Sequence, residues 1–267
     1  SAANAGEMTV SGGADMSWVS LDKQTTGNPI GIGSNVSFAG SGELDNGWDV
    51  ALSITMNNLD AYSNTDVTVT VPSLGAIIIG HGVTGTGIDR MDDVTPNVWE
   101  EAYATGVGAG IQTVAGGAGG TGIEYTPNMM PDGLTARIHW TPDSGGANIN
   151  DKGTGGANDG GTGWDITLEA SDAITGMTGL TIGGGISEVE ETWTNSDGDR
   201  EESTVYATYA VGGFTLGYQW SEEDLGMSSN EQQYDNEGYG ITFAVNDDLS
   251  IGYNHYESKQ TSTTNVT

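Results

Sequence analysis

The chain has 267 residues, of which 37 are Asp or Glu and only 6 are Lys or Arg, giving a formal net charge of −31. That balance excludes nucleic acid as a partner, because phosphate contacts are made by Lys and Arg, and it attracts cations while repelling anionic substrates. Cysteine is absent, which excludes disulfides and thiolate chemistry, and the longest purely apolar run, Ala76–Ile79, falls far short of the about 20 residues of a transmembrane helix.

Hydrophobic residues make up 35% of the chain. Low hydrophobicity with high charge also describes disorder, but here the apolar residues are phased. After "SAANAG", which reads as a mature N-terminus left by cleavage at small residues, the segment EMTVSGGADMSW alternates Met8, Val10, Met16 and Trp18 with Thr9, Ser11, Asp15 and Ser17. The same two-residue period recurs down the chain. It sets Ile32, Val36, Phe38 and Leu44 against Asn35, Ser37, Ser41 and Glu43, and Trp48, Val50, Leu52, Ile54 and Met56 against Asp49, Ser53, Thr55 and Asn57. Weaker segments follow at Asp66–Val71, Ala76–Gly80 and Thr121–Thr126. Further on, Leu134, Ala136, Ile138 and Trp140 alternate with Thr135, Arg137 and His139, and Trp164, Ile166, Leu168 and Ala170 with Asp165, Thr167 and Glu169. After another weak segment at Leu180–Val189, the stretches TVYATYAV, FTLGYQW, GYGITFAV and LSIGYNHY complete about 13 predicted strands.

The connections alternate in length. Leu21–Ile30, Asn57–Thr65, Gly82–Gly120, Pro142–Gly163 and Ser221–Glu237 are long, and the acidic NSDGDREES stretch joins them. Asp45–Gly47, Pro72–Gly75, Pro127–Gly133, Ser171–Gly179, Gly212-Gly213 and Asn246–Asp248 are shorter and carry hairpin-turn residues. Tight turns at one end of a sheet and long loops at the other are the pattern of an outer-membrane barrel. Trp18, Trp48, Trp140, Trp164, Trp220 and Tyr253 lie on the apolar faces, several near strand ends, where membrane interfaces hold aromatic girdles. The core of a soluble sandwich would also take such aromatics. The opposite faces, with Asp15, Glu43, Asp49, Arg137, Asp165 and Glu169, suit a water-filled lumen better.

Two segments carry a resemblance to a known family. GEMTVSGGADMSW is similar to the first strand of general bacterial porins of the alphaproteobacterial type. Ser73–Pro96, SLGAIIIGHGVTGTGIDRMDDVTP, resembles the family's passage from a Leu-Gly turn through a strand and a Gly-rich stretch into an acidic loop. The resemblance implies an all-β fold in one domain over residues 1–267: an antiparallel up-and-down transmembrane β-barrel of roughly 16 strands. Its third outer loop, here residues 82–120, would fold inward and narrow the passage. It also implies the bacterial outer membrane, a homotrimer, contact with membrane lipid and lipopolysaccharide, and no catalysis. With about 13 strands visible and an ending, SKQTSTTNVT, that reads as an outer loop, the expectation is a chain lacking its C-terminal strands.

The chemistry expected of a diffusion pore is an electrostatic constriction. Asp89, Asp92, Asp93, Glu100 and Glu101 on the long loop, facing Arg137 and His139 on the inner face of a nearby strand, are the candidate constriction, with Arg90 as a loop anchor. Solvated loop charge is the plainer reading of the acids. Six basic residues cannot form an anion-selective ring, so the expected preference is for cations. Asp197, Asp199 and Glu202 resemble half of a calcium loop at an outer connection but lack the full spacing, and a plain acidic loop is the alternative. No other cofactor is expected. The three histidines are dispersed, nucleophile and phosphate-loop motifs are absent, and Gly106–Gly120 reads as flexible loop rather than dinucleotide site. The leading function is a porin passing small hydrophilic solutes and cations. The alternatives are a secreted or surface acidic β-rich adhesin or calcium-binding protein without a channel, and an outer-membrane enzyme.

Overall fold

The computed structural model describes residues 8–18, 30–57, 64–81, 85–98, 108–112, 114, 121–142, 144, 160–191, 198–226 and 231–263. They form thirteen strands: β1 (Met8–Trp18), β2 (Ile30–Glu43), β3 (Asp49–Asn57), β4 (Asn64–Val71), β5 (Gly75–His81), β6 (Thr121–Pro127), β7 (Leu134–Thr141), β8 (Gly160–Ala170), β9 (Leu180–Glu191), β10 (Arg200–Val211), β11 (Phe214–Asp224), β12 (Glu231–Asn246) and β13 (Leu249–Thr263). A 3-10 helix (Gly87–Met91) lies between β5 and β6, and a four-residue helix α1 (Asp172–Thr175) between β8 and β9. The helix α1 ends at Gly176, whose φ of +72° supplies the left-handed C-cap that glycine adopts without strain.

The sheet runs in sequence order from β1 to β13, each strand antiparallel to the next. An odd number of alternating strands leaves β1 and β13 pointing the same way. Among the described residues β1 pairs with β2 alone and β13 with β12 alone. All thirteen strands lie where the two-residue period places them. The differences are at the loop end, where β11 continues to Asp224, β12 starts at Glu231 and β13 runs to Thr263. Much of the long connection predicted after Trp220, and the first six residues of the predicted terminal loop, are therefore strand. Both faces of these extensions carry polar residues, so the hydrophobic alternation stops while the backbone ladder continues, with Asp235 opposite Lys259 and Tyr234 opposite Gln260.

Burial is inverted relative to a water-soluble sheet. The outward positions are large and apolar and stay exposed: Leu52, Ile79, Ile123, Ile138, Ile166, Leu168, Val205, Leu216, Ile241 and Ile251. The inward positions are polar and many are buried: Glu124, His139, Asp165, Thr167, Ser187, Glu202, Thr204, Gln219, Ser221 and Asn236. Aromatic residues bound the outward apolar band. Trp140 is opposite Trp164 toward the long-loop end, and Phe214 stacks on Phe243 at 4.4 Å toward the short-turn end. Apolar burial cannot hold such a wall together from within, so stability rests on the backbone ladders and on an apolar solvent outside.

Candidate functional site

The largest departure from a plain barrel is the segment between β5 and β6, which folds onto the inner face of the sheet. Its first limb enters at Gly85–Gly87. Gly87 has φ +55°, and a Cβ there would collide with the carboxylate of Asp165, so glycine is needed on both counts. Glu124 on β6 receives this entry: its Oε2 accepts the Gly87 N–H at 2.5 Å and Arg90 Nε at 3.2 Å, and its Oε1 accepts Arg90 Nη2 at 2.7 Å. Beneath lie His139 on β7 and Asp165 on β8, their Nδ1 and Oδ2 3.3 Å apart and both side chains sealed from solvent. The Oδ1 of Asp165 is buried with no hydrogen-bond partner among the described residues.

From there the limb crosses the wall. Gln219 on β11 donates to the Met91 carbonyl at 2.5 Å. Pro96 rests against Gly217 on β11 and Gly240 on β12, and Val98 Cγ1 lies 3.1 Å from where a Cβ on Gly252 of β13 would sit. The second limb returns along the same wall. The Ala109 carbonyl accepts from Ser221 Oγ and, at 3.2 Å, from Asn236 Nδ2. Gln112 donates its backbone N–H to Glu202 Oε2 at 3.1 Å, and Val114 packs over Gly163 of β8. Ile88 of the first limb clusters with Ala109 and Ile111 of the second. Of the buried apolar residues among those described, Ile88, Met91, Ala109, Ile111 and Val114 belong to this loop, and Val71 and Tyr206 lie elsewhere. The described apolar core is thus the seam between loop and wall.

For residues 108–112 and 114 this corrects the reading of Gly106–Gly120 as flexible loop, because Ala109, Ile111 and Val114 are buried against the wall; the rest of that stretch lies outside the described residues. Asp89, Asp92 and Asp93 lie on the first limb, Asp89 and Asp92 half-buried and Asp93 exposed. Glu100 and Glu101 lie outside the described residues. His139, expected to line the passage, sits behind the loop and is only 2% exposed. Arg137 is on the inner face of β7, diagonal to Glu169 across the β7–β8 ladder, on the wall that carries the loop rather than across from it. Glu169 accepts the Tyr206 hydroxyl at 2.6 Å. Arg90, the expected loop anchor, pairs with Glu124 on β6. Of the acidic trio at the β9–β10 connection, Asp197 lies outside the described residues and Asp199 is exposed, while Glu202 turns inward and is bonded to Arg200. Sequence reasoning missed Arg200, Glu223, Gln219 and Glu124. Their two-residue phase marks them as inward-facing, but nothing local shows that a loop lies over them.

The electrostatics are dominated by carboxylates. Burial, the largest influence, pushes the Asp89 carboxyl above the usual carboxylate range; the Gly85 N–H opposes this, Asp93 and Asp165 add to it, and His139 opposes it. The part of the wall away from the loop's contacts, on β2–β4, presents Ser37, Ser41, Ser53, Thr55, Thr68 and Thr70 inward, together with Glu43, Asp49 and Asp66. Strands β1–β5 contain no Lys or Arg. Among the described residues, no Lys or Arg of these five strands therefore stands across from the loop acids.

An up-and-down antiparallel sheet with apolar residues outside, polar residues inside, short turns at one end and a long loop tucked into its interior defines a membrane β-barrel channel. The sequence model of the Gram-negative porins matches residues 1–267, and the chain belongs to that family. It is a channel protein of the bacterial outer membrane and not an enzyme. Among solved structures it is similar to a porin refined at 1.8 Å, with a TM-score of 0.68 and 13% identity over 95% of this chain and 84% of that one. It is similar also to OmpF of Salmonella typhi in complex with daunomycin, at TM-score 0.61 and 13% identity over 95% and 79%. A triple mutant of the Rhodopseudomonas blastica porin gives TM-score 0.50 and 14% identity over 94% of each chain. At these identities the likeness is one of fold. No curated protein sequence matches the chain.

Proposed function

We propose that the channel is a cation-preferring diffusion pore for small hydrophilic solutes and ions, narrowed by the inward loop. One observation carries this reading. The arginines at the loop are neutralised, Arg90 by Glu124 and Arg200 by Glu202 and Glu223, whereas Asp93 is exposed and β2–β4 add Glu43, Asp49 and Asp66 to the inner wall. In a narrow passage with low-dielectric walls, uncompensated charge of one sign sets ion preference. Arg90 acts as the anchor of the loop, and Asp92 and Asp93 act as its selective acids. The reversal potential across a planar bilayer under a KCl gradient tests this. A potential of the sign set by K⁺ is expected, and one of the sign set by Cl⁻ overturns the reading.

The pore works as a homotrimer. Its support is the outward face of β3–β6, where Leu52, Val67, Ile79 and Ile123 fall in one row and Val50, Val69, Ile77 and Tyr125 in the next. This uncharged, largely β-branched surface suits a neighbouring subunit. The remaining outward band meets lipid and lipopolysaccharide. Chemical cross-linking in mild detergent should give a three-subunit species, and a monomer at every cross-linker concentration rejects the assembly.

A further inference from the structure

Glu202 and Glu223 are register partners, directly opposite one another on the inner face of the β10–β11 ladder. They are 4% and 8% exposed. Like charges so placed repel, and the repulsion grows as water is excluded. One guanidinium reconciles them. Arg200 Nη2 bonds Glu202 Oε1 and, at 2.9 Å, Glu223 Oε1. Its Nη1 donates to the side-chain oxygen of Gln112, on the returning limb of the loop, at 3.0 Å. The same limb closes the ring, because the Gln112 backbone N–H donates to the second oxygen of Glu202, which also accepts Ser187 Oγ at 3.4 Å. Next to it Gly110, at φ +70°, passes so close that a Cβ would lie 3.1 Å from Glu223 Oε2. The carboxylate pair, the arginine and the loop therefore form one closed unit, separate from the Arg90–Glu124 anchor at the other limb.

We propose that Arg200 is a positioning residue for the constriction. It latches the returning limb of the loop to the wall by supplying the counter-charge of two facing carboxylates, and so holds the width of the pore. This rests on the reading of the chain as a diffusion pore. Without the guanidinium, two carboxylates remain buried beside each other with no counter-charge, and lifting the limb to admit water relieves them. The planar fork reaches both acids and Gln112 at once; an ammonium at the same place supplies charge but not that span.

The test compares wild type with Arg200→Met, Arg200→Lys and the triple variant Arg200→Met/Glu202→Gln/Glu223→Gln. Two readouts are used: single-channel conductance in planar bilayers, and the rate of proteolytic cleavage within residues 99–107 of the detergent-solubilised protein. Arg200→Met should show several-fold more frequent conductance fluctuations and several-fold faster cleavage. Arg200→Lys should be intermediate, and the triple variant, with no buried charge left to neutralise, should return toward wild type in both. Wild-type gating and cleavage in Arg200→Met overturns the proposal, and so does a triple variant as disturbed as Arg200→Met. If Arg200→Met does not assemble, Arg200→Lys decides, since wild-type behaviour there shows that the fork is not needed. A wild type without conductance would overturn the pore reading instead, while the cleavage rates would still judge the latch.

Discussion

Gly217 and Gly240 lie directly opposite one another across the β11–β12 ladder, and Pro96 of the inward loop is laid over both. A side chain at either position would occupy the space of the Pro96 ring or its carbonyl. The loop therefore follows a path that the wall leaves open, and its position is set as much by missing side chains as by hydrogen bonds. Gly217→Val or Gly240→Val should displace Pro96 and destabilise the seated loop by about 1–3 kcal/mol. Single-channel conductance and the thermal unfolding midpoint should both change, and a variant unchanged in both would show that the loop does not press on this wall.

Glu124 on β6 should be the most sensitive support of the entry limb. It is buried and accepts the Gly87 N–H together with two Arg90 donors. Glu124→Ala leaves these donors without an acceptor and should weaken the loop's seating by about 1–3 kcal/mol, discounted toward the lower end because Arg90 is partly exposed. Hydrogen–deuterium exchange at residues 85–98 should rise, while exchange in β10–β12 stays as in the wild type.

The acids of the loop should set ion preference. Asp92→Asn/Asp93→Asn should lower the ratio of cation to anion permeability read from reversal potentials, with the larger part coming from the exposed Asp93. An unchanged ratio would remove these residues from the selectivity mechanism.

The seating of the loop should depend on pH through Asp89. Its carboxyl lies above the ordinary range when the loop is seated, so the seated loop holds the proton more tightly than the released one. The stabilising contribution is fully present below the ordinary carboxylate range and is lost as pH rises through the raised value. Proteolytic protection of the loop should therefore fall with rising pH across that window. Asp89→Asn should flatten the dependence, and the same slope in that variant would place the titration elsewhere.

The two faces of a single strand should answer differently to the same charge. Val205 is outward and 54% exposed, whereas Thr208 is inward and half-buried. Val205→Arg should cost about 2–4 kcal/mol in lipid if it sits near the bilayer midplane. Thr208→Arg should leave stability nearer wild type and shift selectivity toward anions. Denaturant titration in lipid vesicles, paired with reversal potentials, separates the two.

Much of the wall was legible because strand structure is local. A two-residue period needs only neighbours to be seen, and all thirteen strands lie where it puts them. The polar outer ends of β12 and β13 were not legible, because a strand with water on both faces has no alternation to read. Of the site, Arg90 and the loop acids were visible as charges near a Gly-rich turn. His139 misled, since inward phase shows that a side chain leaves the lipid face and does not show whether a loop covers it.

The sequence by itself determined the two-faced strands, the short and long ends of the barrel and the surplus of negative charge, because these follow from backbone period, turn chemistry and composition. Only the tertiary structure decided which charges meet. Gln219 reaches the carbonyl of Met91 across 128 residues and Ser221 that of Ala109 across 112. Arg200 joins two carboxylates that face each other only because β10 and β11 pair in one register. Contacts over such separations depend on how the strands align and where the loop can lie, and no local pattern in the chain encodes either.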